Sequence, residues 1–489
     1  MKIETRNKAE LVIKILLFCL LIYFPVFLHL DSLPIRMWDE GRLAVTSYEM
    51  SKNGNYLIPH YDGQPEMWSV KPPLLIWFQV LSCKLIGTGE LGIRLPTAFA
   101  AVLTALALVL FSVKYFKDFW LGFIASLVLI TSFGYINVHA TRTGDYDSML
   151  TLFMTVFSLL FFLYLENKNK IYLHLFFLAV FLAVMTKSIQ GLILLPGLFI
   201  YMIIQKKFFV FKDKWAYIDL LLCALGIASY YIIREQYNPG YINAVWENEL
   251  GGRYTTTLEN HKADFMYYYN MLIDYHYTNW YWMLPCGMAV GFFIKDEKIR
   301  KLTLFTTLLV ITYWLVISNS ETKIEWYEIP LFPFLALIIS VFIYSVFNFL
   351  KNSSELKSLF NFNIIPYVFL FAVFLSPYEK IIDKVYKPVE YDWDKEFYQI
   401  SYFLKGAANS KHSIKDHHLC YEGYNAHLLF YVNILNDANQ NVDFKDWNNL
   451  QAGDMIIASQ SNVQAVIENS YSYELIGAVN NVKESVVSD

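Results

Sequence analysis

Long apolar runs alternate with short polar connections along most of this chain. The runs fall at 11–30, 95–113, 119–137, 148–166, 171–186, 189–205, 216–233, 281–294, 302–318, 328–348 and 361–377. Most are near the ~20 residues that a helix needs to cross a ~30 Å hydrocarbon core. They predict a membrane all-α protein with about eleven transmembrane helices, at most about thirteen. The first run is too long, and too poorly flanked by small residues, for a cleaved signal peptide, so it reads as a retained span. After about Tyr378 the pattern changes. Short apolar runs (HHLCYEG, LLFYVNIL, DMIIAS, YELIGAV) separated by Asn, Gly and Asp predict a small soluble α/β domain. The expected division is a transmembrane domain over 1–377 and a soluble domain over 378–489.

Basic residues orient the runs. Lys2, Arg6 and Lys8 precede the first, and Lys114 and Lys117 follow the second. Further clusters sit at Lys168 and Lys170, at Lys206 to Lys214, at Lys295 to Lys301, and at Lys351 and Lys357. All fall on one side if every run crosses, and that side should be the cytoplasm. The soluble domain is then external, and the two large outer connections are 31–94 and 234–280. Within the first, a helix should run from Asp39 to about Lys52 and stop at Asn53-Gly54. Pro72-Pro73 opens a second apolar stretch, LLIWFQVLSCKLIG, too short to span comfortably and predicted to lie in the interface.

Composition agrees with a membrane protein. Of 489 residues, 56% are hydrophobic and 17% charged, against roughly 25% charged in soluble domains. No basic tail or stripe supports nucleic-acid binding. The five cysteines form no CxxC pair and read as small buried hydrophobes.

The charged residues at the outer span ends include Asp39, Glu40, Arg42, Lys71, Arg94, Arg142, Asp145, Asp147, Lys187, Arg253, His261, Lys323, Glu325 and Glu328. Cations beside carboxylates at the outer surface suit a lipid with a phosphate head group: cations bind the phosphate and a carboxylate handles a proton. Each residue also has a plainer role. Asp39 could cap its helix, and Asp145 or Asp147 the fourth span. Lys71, Arg94 and Arg142 could snorkel. His261 could be a surface histidine. Lys187 is harder to explain away, because it interrupts FLAVMTKSIQGLILLPG on the side poor in positive charge. No tight ligand spacing supports a metal site. Two rival classes are a lipid or solute transporter, which would carry ionisable groups at mid-membrane, and a non-catalytic envelope protein.

The stretch MWDEGRLAVTSYEMSKNGNYLIPHYDGQPEMWSVKPPLLIWFQVLS resembles the first periplasmic loop of bacterial polyprenyl-phosphate-dependent glycosyltransferases. It is most similar to the aminoarabinose transferases that modify lipid A and, more distantly, to the protein O-mannosyltransferases. Asp39-Glu40-Gly41-Arg42, Gly54 to Pro59 and Lys71-Pro72-Pro73-Leu74 match the family pattern D-E-x-R, G-x-W/Y-x-x-P, K-P-P-L. GIRLP, TRTGDYDSML, MTKSIQG, GGRY and KIEWYEIPLFP follow in the family's order, so the match runs to about residue 350. The resemblance implies a GT-C fold and inverting transfer of a sugar from a polyprenyl (undecaprenyl) phosphate. The acceptor would be a hydroxyl of lipid A, another glycolipid or protein, at the bacterial inner membrane. It implies Asp39 as the carboxylate nearest the chemistry. Lys71, Lys187, Arg253, Lys323 and Tyr327 would surround the donor phosphate. Glu40, Arg42, Arg142, Asp147 and His261 would support the acceptor pocket. No cofactor is firmly implied. Val70 stands where the family usually has an acid before K-P-P, which weakens the case for a divalent metal without closing it.

Overall fold

The computed structural model describes residues 2–251, 261–353 and 364–488. Among these, eight helices are long and apolar enough to cross a membrane: Ala9–Phe27, Glu90–Phe116, Tyr146–Asn167, Lys170–Leu192, Lys214–Tyr237, Glu297–Ser318, Glu325–Asn352 and Ile365–Tyr386. The chain is a multi-pass membrane protein. Three of the expected spans form shorter apolar helices. The run at 119–137 is helical only over Trp120–Ile130, the run at 189–205 over Leu195–Ile204, and the run at 281–294 over Tyr281–Phe293. The first of these stops because Thr131 and Ser132 turn their hydroxyls onto the carbonyls of Leu127 and Leu129, and the chain then loops through Gly134. The last helix continues past residue 377 to Tyr386, with Pro377 inside it.

Members of three of the basic clusters gather at one end of the bundle, while Lys357 lies outside the described residues. Lys207 and Lys301 both pair with Glu166, at 2.9 and 3.1 Å, and Lys298 donates to the Tyr115 carbonyl. Lys114 and Lys117 line the same hollow. Glu166 closes the helix Tyr146–Asn167, and Asp147 opens it. At 1.5 Å per residue the two lie roughly 28 Å apart, so Asp147 marks the opposite end of the bundle.

The helix Asp39–Asn53 forms as its sequence demands. Asp39 and Glu40 oppose the positive N-terminal dipole, Lys52 the negative C-terminal one, and Gly54 (φ 69°) supplies the left-handed stop. Glu40, Leu43, Ala44, Ser47 and Met50 are buried at helical spacing, which fixes the face turned inward. The second apolar stretch is the helix Leu74–Ile86, entered through Pro73.

The C-terminal unit is α/β. Its sheet runs Asp443–Phe444, His417–Cys420, Met455–Ala458, Val482–Val487, Tyr473–Val479. The first three strands are parallel and the last two pair antiparallel. Helices Gln399–Ala408, Ala426–Asp437 and Ser461–Ser470 complete it.

This unit packs on the connection between the first two long helices. The Tyr431 hydroxyl accepts from the Ile35 amide (2.9 Å) and donates to Glu90 (2.6 Å), which Lys405 also approaches at 3.2 Å. Arg36 holds Glu390 through two hydrogen bonds of 2.6 and 2.7 Å, and Tyr48 reaches the Asn433 carbonyl. Gly41 makes the contact closest: a Cβ there would lie 2.9 Å from both the Arg36 carbonyl oxygen and the His427 amide nitrogen. Only hydrogen fits between these backbones.

Candidate active site

At the end of the bundle marked by Asp147 lies a cavity of about 610 Å³. Asp39 and Arg42 enter it from the first loop, Lys71 from the K-P-P turn, Asp147 and Lys187 from two span ends, His261 and Tyr327 from later connections. These residues are scattered over almost 290 positions of sequence, and the fold places them around one space.

The charges are mostly paired. Lys187 donates to Asp147 at 2.6 Å, both buried, and lies 5.4 Å from the centre of the Tyr327 ring. The Lys71 amine lies 3.1 Å from buried Glu249 and 5.4 Å from the Tyr146 ring centre. Arg42 grips Glu66 through two hydrogen bonds, 2.5 and 2.8 Å, and packs on the Tyr61 ring. Burial would raise the Glu66 carboxyl, but Arg42 and the amides of Trp68 and Ser69 outweigh it and hold it below the usual range. Asp39 differs from these buried acids: its side chain is 52% exposed, on a cavity wall.

Beneath Asp39 the loop is pinned by Glu40. Its carboxylate takes two hydrogen bonds from Arg94 and one each from the amides of Arg36 and Gly144. Full burial opposes the charge, yet Arg94 and these donors keep the Glu40 carboxyl ionised, below its ordinary value. Glu40 therefore sits under the cavity. Arg142 is also elsewhere. It donates to the carbonyls of Val26, Leu28 and His29, closing the end of the first helix, where a cation meets the negative dipole. Lys323 is buried with its amine on the Ser320 carbonyl at 2.6 Å, and its amide holds the His261 carbonyl. Arg253 lies outside the described residues.

The cavity also holds groups that the sequence reading did not assign to it. His139 stacks on Trp326, ring centres 3.6 Å apart. Its Nδ1 lies 3.5 Å from Asp145 and 4.0 Å from Asp39. One ligand atom from each of Asp39, His139 and Asp145 falls within 4.8 Å of the others. Asp145 Oδ1 and His139 Nδ1 are buried without a hydrogen bond. A nitrogen and two carboxylate oxygens so placed fit a divalent cation. Asp145 was legible as a charge at an outer span end, but its pairing with Asp39 was not, because the two are about a hundred residues apart. Burial, with the nearby charges of Asp39 and Glu40, pushes the Asp145 carboxyl up to about 7. Tyr424 reaches the cavity from the C-terminal unit, a contribution with no sequence signal.

Three cavity-side residues hold left-handed backbone despite bearing a Cβ: Trp38 (φ 66°), His139 (φ 60°) and Ser188 (φ 53°). Each flanks or forms part of the charged set, and each costs about 1–3 kcal/mol that the surrounding packing offsets. Such strain concentrates where side-chain direction matters more than local comfort.

Comparison with known proteins gives a consistent result. The family model described as dolichyl-phosphate-mannose-protein mannosyltransferase matches residues 70–233. The undecaprenyl phosphate-alpha-4-amino-4-deoxy-L-arabinose arabinosyl transferase of Aeromonas salmonicida is 28% identical over 345 residues, 69% of this chain and 60% of the relative. One of the Proteus mirabilis enzymes of that name is 25% identical over 340 residues, 68% of this chain and 59% of its own. The match thus spans about three fifths of the length of these relatives. Among solved structures, ArnT from Cupriavidus metallidurans, crystallised bound to undecaprenyl phosphate, aligns over 98% of both chains with a TM-score of 0.71 at 15% identity. The Archaeoglobus fulgidus oligosaccharyltransferase aligns over 88% of this chain and 64% of its own, with a TM-score of 0.56 at 11% identity. The chain has the GT-C fold and resembles the aminoarabinose transferases in sequence.

Proposed function

We propose that this chain is an integral membrane glycosyltransferase. It moves a sugar from a polyprenyl phosphate, undecaprenyl phosphate by analogy with its relatives, to a hydroxyl of lipid A, another glycolipid or a protein. The observation that carries this reading is the single cavity shared by Asp39, Lys71, Lys187 and Tyr327 at the end of the bundle away from the basic clusters. In this reading the protein sits in a bacterial inner membrane with its N-terminus in the cytoplasm, and residues 378–489 form a periplasmic domain above the transmembrane catalytic domain.

The chemistry follows from the groups available. A phosphate leaving group needs its developing charge stabilised more than it needs a proton, and Lys71 and Lys187, each held in place by a buried carboxylate, supply fixed positive charge. Tyr327 adds a hydroxyl beside Lys187. Asp39 is the accessible carboxylate, so it takes the acceptor proton as the new bond forms. Attack from the face opposite the phosphate inverts the sugar carbon. Asp147 is tied to Lys187 and sets that amine's position, while Glu66 does the same for Arg42. Glu40, Arg94 and Arg142 act one layer further out by holding the loop. His261 joins its loop to the Ser320–Lys323 turn.

The test is mass spectrometry of envelope lipids and glycans from a strain lacking the gene, with purified protein added back to the accumulated polyprenyl-phosphate sugars. One missing sugar, restored by the protein, is the expected result. An unaltered envelope and no transfer in the purified system would overturn the reading.

A further inference from the structure

The cavity wall is built by both structural units. Trp38, on the first loop, and Tyr424, from the C-terminal unit, stack at 4.7 Å between ring centres with their planes 10° apart. Tyr61 lies parallel behind them, 6.5 Å from Tyr424. Arg42 joins this group, its guanidinium 4.3 Å from the centre of the Tyr61 ring. Both Trp38 and Tyr424 line the 610 Å³ cavity. Trp38 and His139 also line a second cavity of about 570 Å³, so the indole stands where the two spaces meet. The indole is 55% exposed, and its own backbone is strained to hold it there.

An exposed indole fixed by a stack behind it, one residue from a carboxylate, is a platform for a sugar ring. The apolar C–H face of a pyranose packs on an aromatic face, and its hydroxyls meet the neighbouring Arg42 and Asp39. The rigidity matters because a ring already held in place loses little rotational freedom on binding. Tyr424 supplies that rigidity from the far end of the sequence. It is held in turn by the packing of Gly41 against His427 and by the Tyr431 bridge to Glu90.

We propose that Trp38 and Tyr424 form a subsite for the transferred sugar, with Tyr424 as the positioning residue that the C-terminal domain contributes. This rests on the transferase reading above. It gives the C-terminal domain a part in sugar selection rather than a separate activity.

The experiment uses the full-length protein in detergent and two probes: undecaprenyl phosphate, and the polyprenyl-phosphate sugar pool extracted from the deletion strain. Tyr424→Ala should bind undecaprenyl phosphate as wild type does, yet lose about tenfold in affinity for the sugar-bearing lipid, with KM raised similarly and kcat changed less. Tyr424→Phe, which keeps the ring, should recover to within about threefold of wild type. Tyr48→Phe serves as the control, since it loosens the same docking contact away from the cavity. Equal loss for both lipids in Tyr424→Ala, or an equal KM rise in Tyr48→Phe, would overturn the subsite. No change in Tyr424→Ala would overturn it too, while leaving the transferase reading intact. A wild-type protein that binds neither lipid would overturn both.

Discussion

Asp39 and Lys187 show what a single substitution can separate. A helix-capping or first-turn aspartate is worth on the order of 1 kcal/mol, and asparagine replaces it with little loss. A general base must carry its negative charge, and its loss costs roughly 10²–10⁴ in rate. Asp39→Asn should therefore extract and melt like the parent, bind the lipid donor, and transfer at least about a hundredfold more slowly. Turnover kinetics beside thermal melting decide it, and near-normal turnover would leave Asp39 a structural acid. Lys187 is different, because the structure pairs it with buried Asp147. Removing the amine alone strands a carboxylate, which costs about 3–5 kcal/mol at buried pairs. Lys187→Ala should lose both stability and donor affinity. Adding Asp147→Asn should recover much of the stability and none of the affinity. Melting and donor titration on both variants read the two effects apart. The sequence singles out Lys187 as a cation out of place, since a charge in an apolar run is visible in one dimension. It could not show which carboxylate answers it, because Asp147 lies forty residues earlier on another helix.

Among elements, the helix Asp39–Asn53 and the helix Ala426–Asp437 carry the docking of one unit on the other. The helix Asp39–Asn53 was legible to within a residue or two, because its acids, its Lys52 and the Asn53-Gly54 stop are local signals. The docking was not, because Gly41 reads in sequence as an ordinary gap in a motif. Its meaning appears only when His427 arrives against it. His427 is fully buried among Phe397, Tyr398 and Tyr421, and both ring nitrogens lack hydrogen bonds. Burial, aided by Arg36, drives its pKa from 6.5 to about 3. The unfolded chain then binds a proton that the folded chain refuses, so the packing around this helix is strongest above pH 6.5 and weakens as pH falls from about 6.5 towards 3. The maximum slope is about 1.4 kcal/mol per pH unit for one group. Hydrogen exchange of residues 426–437 should rise over this window in wild type, and His427→Phe should flatten that dependence. A slope unchanged by the substitution would place the pH sensitivity elsewhere.

At the scale of the whole molecule, alternating basic clusters predict both termini's locations. A reporter active only outside the cytoplasm, fused at Asp489, should be active, and a cytoplasmic reporter at the same point should be silent. The reverse result would invert the orientation. The convergence of Lys114, Lys117, Lys207, Lys298 and Lys301 on one end of the bundle was readable from sequence because charge bias needs only span order. The shortness of the helices Trp120–Ile130 and Leu195–Ile204 was not, because hydropathy does not register where a hydroxyl turns back on its own helix or where a 3-10 turn intervenes. The contacts between the first loop and the C-terminal unit join residues as far as 396 positions apart. In time rather than space, this makes the carboxylate loop leave the ribosome well before Tyr424 of its aromatic wall. Contacts of that sequence separation form late, after the intervening spans have inserted. A chain not yet docked would hold Trp38 and Asp39 without Tyr424 stacked behind the indole. The sugar subsite proposed above is therefore complete only once the C-terminal unit has docked, and transfer at full affinity waits on that contact.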